Sequence, residues 1–224
     1  MNKLTGIFAV AAIALTTSVA PAVQIVQTKN YADIPNFDVP LTFDYFNNAL
    51  GTLDSVTIEV SMSTSGGFGI VDNDGVDQAT VTIETLVQAA ASSVDVFMPG
   101  AVASTSINAN FSLAGEGAGP DGAAIDGSAP DGATLNVPVG TFSSGVLGTT
   151  AVQRNTFIGV GTYDIILDAM QETDILVGGG VATGNNPASV DGFVRVIYDY
   201  TPIPEPASLA LIGLGGLTLI RRRR

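Results

Sequence analysis

Apolar and polar residues alternate with a period of two along much of this chain. Val56, Ile58, Val60 and Met62 are interleaved with Thr57, Glu59 and Ser61. Ala79, Val81, Ile83, Thr85 and Val87 run beside Thr80, Thr82 and Glu84, and Ile107, Ala109, Phe111 and Leu113 beside Asn108, Asn110 and Ser112. Val194, Val196, Tyr198 and Tyr200 share one parity. Successive side chains of a strand point to opposite faces, so this alternation marks strands with one face on a core. Further strands are predicted over 40–46, 94–98, 134–139 and 156–168. Turn signals separate them at Gly66-Gly67, Asp74-Gly75, Pro99-Gly100, Gly178-Gly179-Gly180 and Asn185-Asn186-Pro187. Between the two ends of the chain the helical feature expected is a short turn from Phe46 to Leu50. Many short strands without helical periodicity between them predict an all-β fold, an antiparallel β-sandwich or jelly roll. The Gly-, Ala- and Asp-rich stretch from Leu113 to Thr134 reads as a long surface excursion of that domain.

Composition narrows the chemistry. Cys and His are both absent, which removes disulfides, thiolate zinc sites and His-dependent nucleophilic pairs. Hydrophobic residues make up 46% and charged residues 13% of the 224, a balance that supports a packed core rather than a disordered acidic chain. The formal charge of −13 conceals a partition. Residues 23–203 hold three basic residues against 20 acids, a formal charge of −17. A nucleic-acid partner is disfavoured on that balance, because phosphate recognition draws on a basic surface.

The two ends differ from the body. Lys3 precedes an apolar run from Leu4 to Leu15 and then small residues. This is the layout of a signal peptide over residues 1–22, with cleavage after Ala20-Pro21-Ala22 preferred over Ser18-Val19-Ala20 because the latter would put Pro21 first. The body spans 23–201. Beyond it come Pro202, Pro204, Glu205 and Pro206, an uncharged stretch from Ala207 to Ile220, and Arg221, Arg222, Arg223 and Arg224. The prolines predict an extended, accessible stem. As an apolar helix, the following stretch would be about 21 Å long, short of a hydrocarbon core of about 30 Å. The arginines should remain cytoplasmic as a stop.

This ordered series of Pro-Glu-Pro, short Gly- and Leu-rich apolar segment and terminal Arg cluster, over 202–224, resembles the PEP-CTERM sorting signal. The resemblance implies processing near Pro204, Glu205 and Pro206 by an exosortase-type membrane peptidase, transient residence in the inner membrane, and export to the cell surface or medium. It also implies bacteria that make exopolysaccharide and biofilm. A second resemblance covers the body: Leu41 to Ile58 is similar to the opening of choice-of-anchor E domains, and Val194 to Tyr200 to their ending. That family implies no molecular activity.

The densest carboxylate cluster in the body is Asp72-Asn73-Asp74-Gly75-Val76-Asp77. It departs from an EF-hand, since Gly75 falls at the fourth position and Glu84 at the thirteenth. A hairpin turn and a different calcium loop, with Asp72, Asp74 and Asp77 as ligands, both remain open. Asp121, Asp126 and Asp131 recur at five-residue spacing before glycines, as turn caps or as a cation-collecting loop. Paired carboxylates suit glycoside hydrolysis, but no motif singles out a pair. The five tyrosines suit sugar stacking or core packing. Gly178 to Gly184 lacks the Lys of a phosphate loop. The expectation is a structural or adhesive surface protein without catalytic residues or cofactor, linked to exopolysaccharide or matrix proteins. The alternative is a calcium-stabilised carbohydrate-binding module, and a hydrolase comes third.

Overall fold

The computed structural model describes residues 21–115, 125–178 and 180–203. The predicted C-terminal apolar helix, Pro204, Glu205, Pro206, Asp121 and Arg221 to Arg224 lie outside the described residues, as does nearly all of the predicted signal peptide. Among the described residues no helix is long and apolar enough to cross a membrane.

Among the described residues, twelve strands and one helical turn follow in order: β1 (Val23–Asp33), β2 (Phe37–Asp44), β3 (Gly51–Ser65), β4 (Phe68–Asn73), β5 (Ala79–Ser92), β6 (Ala101–Leu113), β7 (Gly132–Asn136), β8 (Gly140–Ser143), β9 (Leu147–Gly148), α1 (Ala151–Asn155), β10 (Thr162–Val177), β11 (Val181–Asn186) and β12 (Ser189–Pro202). One sheet has the order β2-β10-β5-β6. A second has β1-β12-β3-β8, with β9 also on β3, and a third has β11-β4-β7. All strand pairs are antiparallel, and the sheets pack face to face as a sandwich.

The registers show how the second and third sheets relate. Ser65 pairs with Ser189, and three residues further along β4 Phe68 pairs with Asn186. The strands therefore run on across a break at Gly66-Gly67 and Pro187-Ala188. Gly66 and Gly67 have φ of 65° and 81°, in the left-handed region that glycine enters without penalty. A Cβ on Gly67 would lie 2.6 Å from the Ala188 nitrogen, so the break also requires a residue without a side chain.

The long β2-β10-β5-β6 sheet is thus covered by two shorter ones. Over one half, Phe43, Val87, Ala89, Tyr163, Ile165 and Leu167 pack with Val56, Ile58, Val60, Met62, Val194 and Val196 of the β1-β12-β3-β8 sheet. Over the other, Val81, Ile83 and Leu113 pack with Val71 and Leu135. The alternating residues of β3, β5 and β12 point inward as the sequence pattern requires.

Two predicted elements differ. The strand expected at 94–98 is a loop between β5 and β6. There the Ser93 hydroxyl accepts from the Asp95 and Val96 amides, and Asp95 Oδ2 accepts from the Asp164 amide at 2.9 Å; side-chain bonds to backbone compete with the ladder and win. The strand expected at 156–168 begins only at Thr162. Before it stands α1, whose N-cap Thr150 and Gln153 form a capping box.

Candidate functional site

The Asp-Gly turn between β4 and β5 is organised by Asn73 rather than by its aspartates. The Asn73 side chain is fully buried. Its Nδ2 donates to the carbonyls of Asp77 and Ala114, both at 2.8 Å, and its Oδ1 accepts from the Gly75 amide at 3.1 Å. One amide group therefore closes the turn on itself and ties it to the end of β6.

Asp72 stands one residue before the end of β4, opposite Gly132 on the last rung with β7 and opposite Ala182 of β11. It is buried, and its Oδ2 accepts from the Asp126 amide at 3.2 Å. Loss of water raises the pKa of this carboxyl. The charges of Asp126, Asp74 and Asp131 raise it further, and the bond from the Asp126 amide partly offsets them. Asp74 and Asp77 are exposed. The tertiary structure thus gathers parts of two acidic segments, the 72–77 turn and the 126–131 loop, around Asp72. Among the described residues no group of three or more Asp, Glu, His or Cys is arranged to hold a metal ion. What the arrangement does is collect negative charge around a buried carboxyl whose pKa is raised.

A concavity of about 370 Å³ lies on the outer face of the long sheet, lined by Glu84, Leu86, Ser106, Asn108, Glu172 and Asp174 among others. The pairings Glu84–Asn108, Glu84–Asp174 and Leu86–Glu172 set these residues side by side on one face. Asn108 Nδ2 donates to Glu84. No aromatic ring lines this groove.

The tyrosines are engaged elsewhere. Tyr31, Tyr163 and Tyr198 are buried. Tyr31 donates to the Ser61 carbonyl at 2.8 Å, Tyr163 and Tyr198 share a hydrogen bond of 2.8 Å, and Tyr198 donates to the Asp44 carbonyl at 3.0 Å. Burial, the largest cause, raises all three phenols well above their ordinary range. These are core residues with satisfied hydroxyls, which the strand parity of Tyr198 foreshadowed.

The described chain ends at Ile203, whose amide donates to the Leu50 carbonyl at 3.2 Å. Up to this point the molecule is an antiparallel β-sandwich. The family model of the PEP-CTERM protein-sorting motif matches residues 202–224, so the chain carries a PEP-CTERM sorting signal, and that motif indicates an exported protein with a membrane-anchored precursor, exosortase processing and a mature surface form. The resemblance of the body to choice-of-anchor E domains is not confirmed. No curated protein matches the chain. Among solved structures it is similar to the infectious bursal disease virus Gx strain, at 11% identity over 96% of this chain and 54% of that one, with a TM-score of 0.19. It is also similar to the VP2 protein of infectious bursal disease virus in derived particles, at 14% identity over 96% and 52%, with a TM-score of 0.13. The chain spans about half the length of these viral chains.

Proposed function

We propose that the mature body is a structural or adhesive component of the bacterial surface or extracellular matrix, acting without catalysis and in association with exopolysaccharide or matrix proteins. The observation that supports this reading most is the division of labour among its polar groups. Of the five tyrosines, Tyr31, Tyr163 and Tyr198 are in the core and Tyr45 and Tyr200 are half-buried against it, and the acids of the outer groove stand on an open sheet face without a ring beside them. A broad, acidic, hydroxyl-rich sheet surface suits weak, multivalent association better than capture of a single sugar. The experiment is co-sedimentation of the mature body with exopolysaccharide from a producing strain. Association without shortening of the polymer is the expected result; no association, or release of oligosaccharides, would count against it.

Within the motif we assign Pro204, Glu205 and Pro206 as the processing site and Arg221 to Arg224 as the cytoplasmic stop. A calcium-stabilised carbohydrate-binding module is the second reading. What favours it is the meeting of the 72–77 and 126–131 segments at Asp72. On that reading millimolar Ca2+ raises the melting temperature by mass action, and Asp74→Ala abolishes the rise.

A further inference from the structure

The strand order brings both limits of the body to one end of the sandwich. Val23 at the start of β1 pairs with Tyr200, and Pro202 at the end of β12 pairs with Gly51. The loop after β2, the β5–β6 loop and the segment carrying α1 lie at this same end, because Asp44 pairs with Thr162 and Ser92 with Ile166, and the Phe97 amide donates to Thr156 Oγ1 at 2.9 Å.

This end displays large apolar side chains to solvent. Val94 and Val160 are each 97% exposed, and Leu50, Phe97, Val152 and Ile203 are exposed beside them. The opposite end also shows Val76 and Leu176, so exposure alone does not distinguish the two. Reach does. Only Pro204, Glu205 and Pro206 separate Ile203 from the apolar run that begins at Ala207. Four fully extended residue steps span at most about 14 Å, and the headgroup layer takes up roughly 6 Å of that. While the precursor is anchored, this end cannot stand clear of the bilayer. Val76 lies beyond the far end of β5, whose 14 residues run about 45 Å.

We propose that Leu50, Val94, Phe97, Val152, Val160 and Ile203 form a membrane-facing surface that rests in the lipid interface while the precursor is anchored, and that this contact orients the body over its own processing site. The inference rests on the membrane-anchored precursor and goes beyond it in naming the surface and its partner. Exposed valine and phenylalanine side chains favour the boundary between headgroups and acyl chains, and each adds a small increment of burial. The acids at this end are partly occupied within the protein: Asp54 accepts from Thr201, Asp95 from the Asp164 amide, and Asp199 from Gln24 and Ser55. The contact is weak without the tether, since the −17 body is repelled by anionic lipid. Cleavage therefore releases the surface as well as the chain.

The chain has no cysteine, so single-cysteine variants of the full-length precursor report one position each. Val160→Cys, Phe97→Cys and Val76→Cys, labelled with an environment-sensitive fluorophore, are reconstituted without exosortase into phosphatidylcholine vesicles carrying nitroxide on shallow acyl positions. All three sites are exposed, and circular dichroism checks that each variant keeps its strand signal. The labels at 160 and 97 should be quenched several-fold more than the label at 76. Equal quenching at all three positions overturns the proposal. So does protection of 160 and 97 that appears only when exosortase is added, which would assign the surface to the enzyme. Flotation of the precursor with the vesicles tests the anchor separately; a precursor that does not float removes the anchored state and the proposal with it.

Discussion

Replacing Asn73 with alanine should destabilise the body far more than replacing any aspartate of the same turn. The Asn73 side chain is fully buried and serves three backbone groups: the carbonyls of Asp77 and Ala114 and the amide of Gly75. A buried polar group left without a partner costs about 1–3 kcal/mol. Asp77 is exposed and Ala114 and Gly75 are half-buried, so water can reclaim part of that loss. The expected cost is therefore about 2–4 kcal/mol, well below three full penalties. For a domain of this size it corresponds to a drop in melting temperature of roughly 4–16 °C. Asp74→Ala, at an exposed position, should change stability by less than about 0.5 kcal/mol in the presence of chelator. Asn73→Asp keeps the acceptor for Gly75 but loses both donors and places a second carboxylate beside Asp72, so it should be worse than alanine. The assay is urea and thermal denaturation of the mature body followed by circular dichroism. A loss under about 1 kcal/mol for Asn73→Ala, or equal losses for Asn73→Ala and Asp74→Ala in chelator, would refute the reasoning, because the turn would then not depend on that amide.

Three further outcomes are expected. Burial and neighbouring charge raise the Asp72 carboxyl above the ordinary value of 3.8, so the folded state holds that proton more tightly than the unfolded chain. Its contribution is fully present below the unfolded pKa and is lost as pH rises through the folded one; Asp72→Asn, which can still accept from Asp126, should flatten that decline and stabilise the body at neutral pH in a denaturation series. Gly67→Ala must fit a Cβ against Ala188 at a φ of 81° and should cost about 1–3 kcal/mol by the same denaturation assay. In a host with exosortase, deleting 204–224 should send the body to the periplasm or medium, and changing Glu205 alone should leave a membrane-bound precursor, both read by fractionation and mass spectrometry; a dominant full-length species in the unaltered protein would make the tail a plain anchor.

Much of the sandwich was legible in the chain because half-burial writes itself locally. Every second residue of β3, β5 and β12 must be apolar to face a core, and that requirement appears as a period of two whatever the strand pairs with. The Gly66-Gly67 break was legible for an equally local reason, the left-handed backbone that glycine enters freely, and the Asp74-Gly75 turn because Asn, Asp and Gly side by side favour side-chain-capped turns. The sorting tail was legible because its recognition depends on order along the chain and not on a fold.

What escaped the sequence depended on distant partners. β1 carries Gln24, Gln27, Thr28, Lys29 and Asn30 and shows little alternation; it is a strand because β12 offers it an edge along eleven residues. Conversely, Val94 to Met98 is apolar at every position but Asp95 and is a loop, since Ser93 and Asp95 give the backbone other partners. Asp72 and Asp126 are 54 residues apart, and the pairing of β4 with β7 alone brings them together. The same is true of the apolar end. Leu50, Val94, Val160 and Ile203 lie in four separate segments, and antiparallel pairing puts those segments at one end, where the tail leaves. Period and turn chemistry are properties of neighbours in sequence; which loops share an end is a property of register between strands far apart, and only the folded sheets set that register.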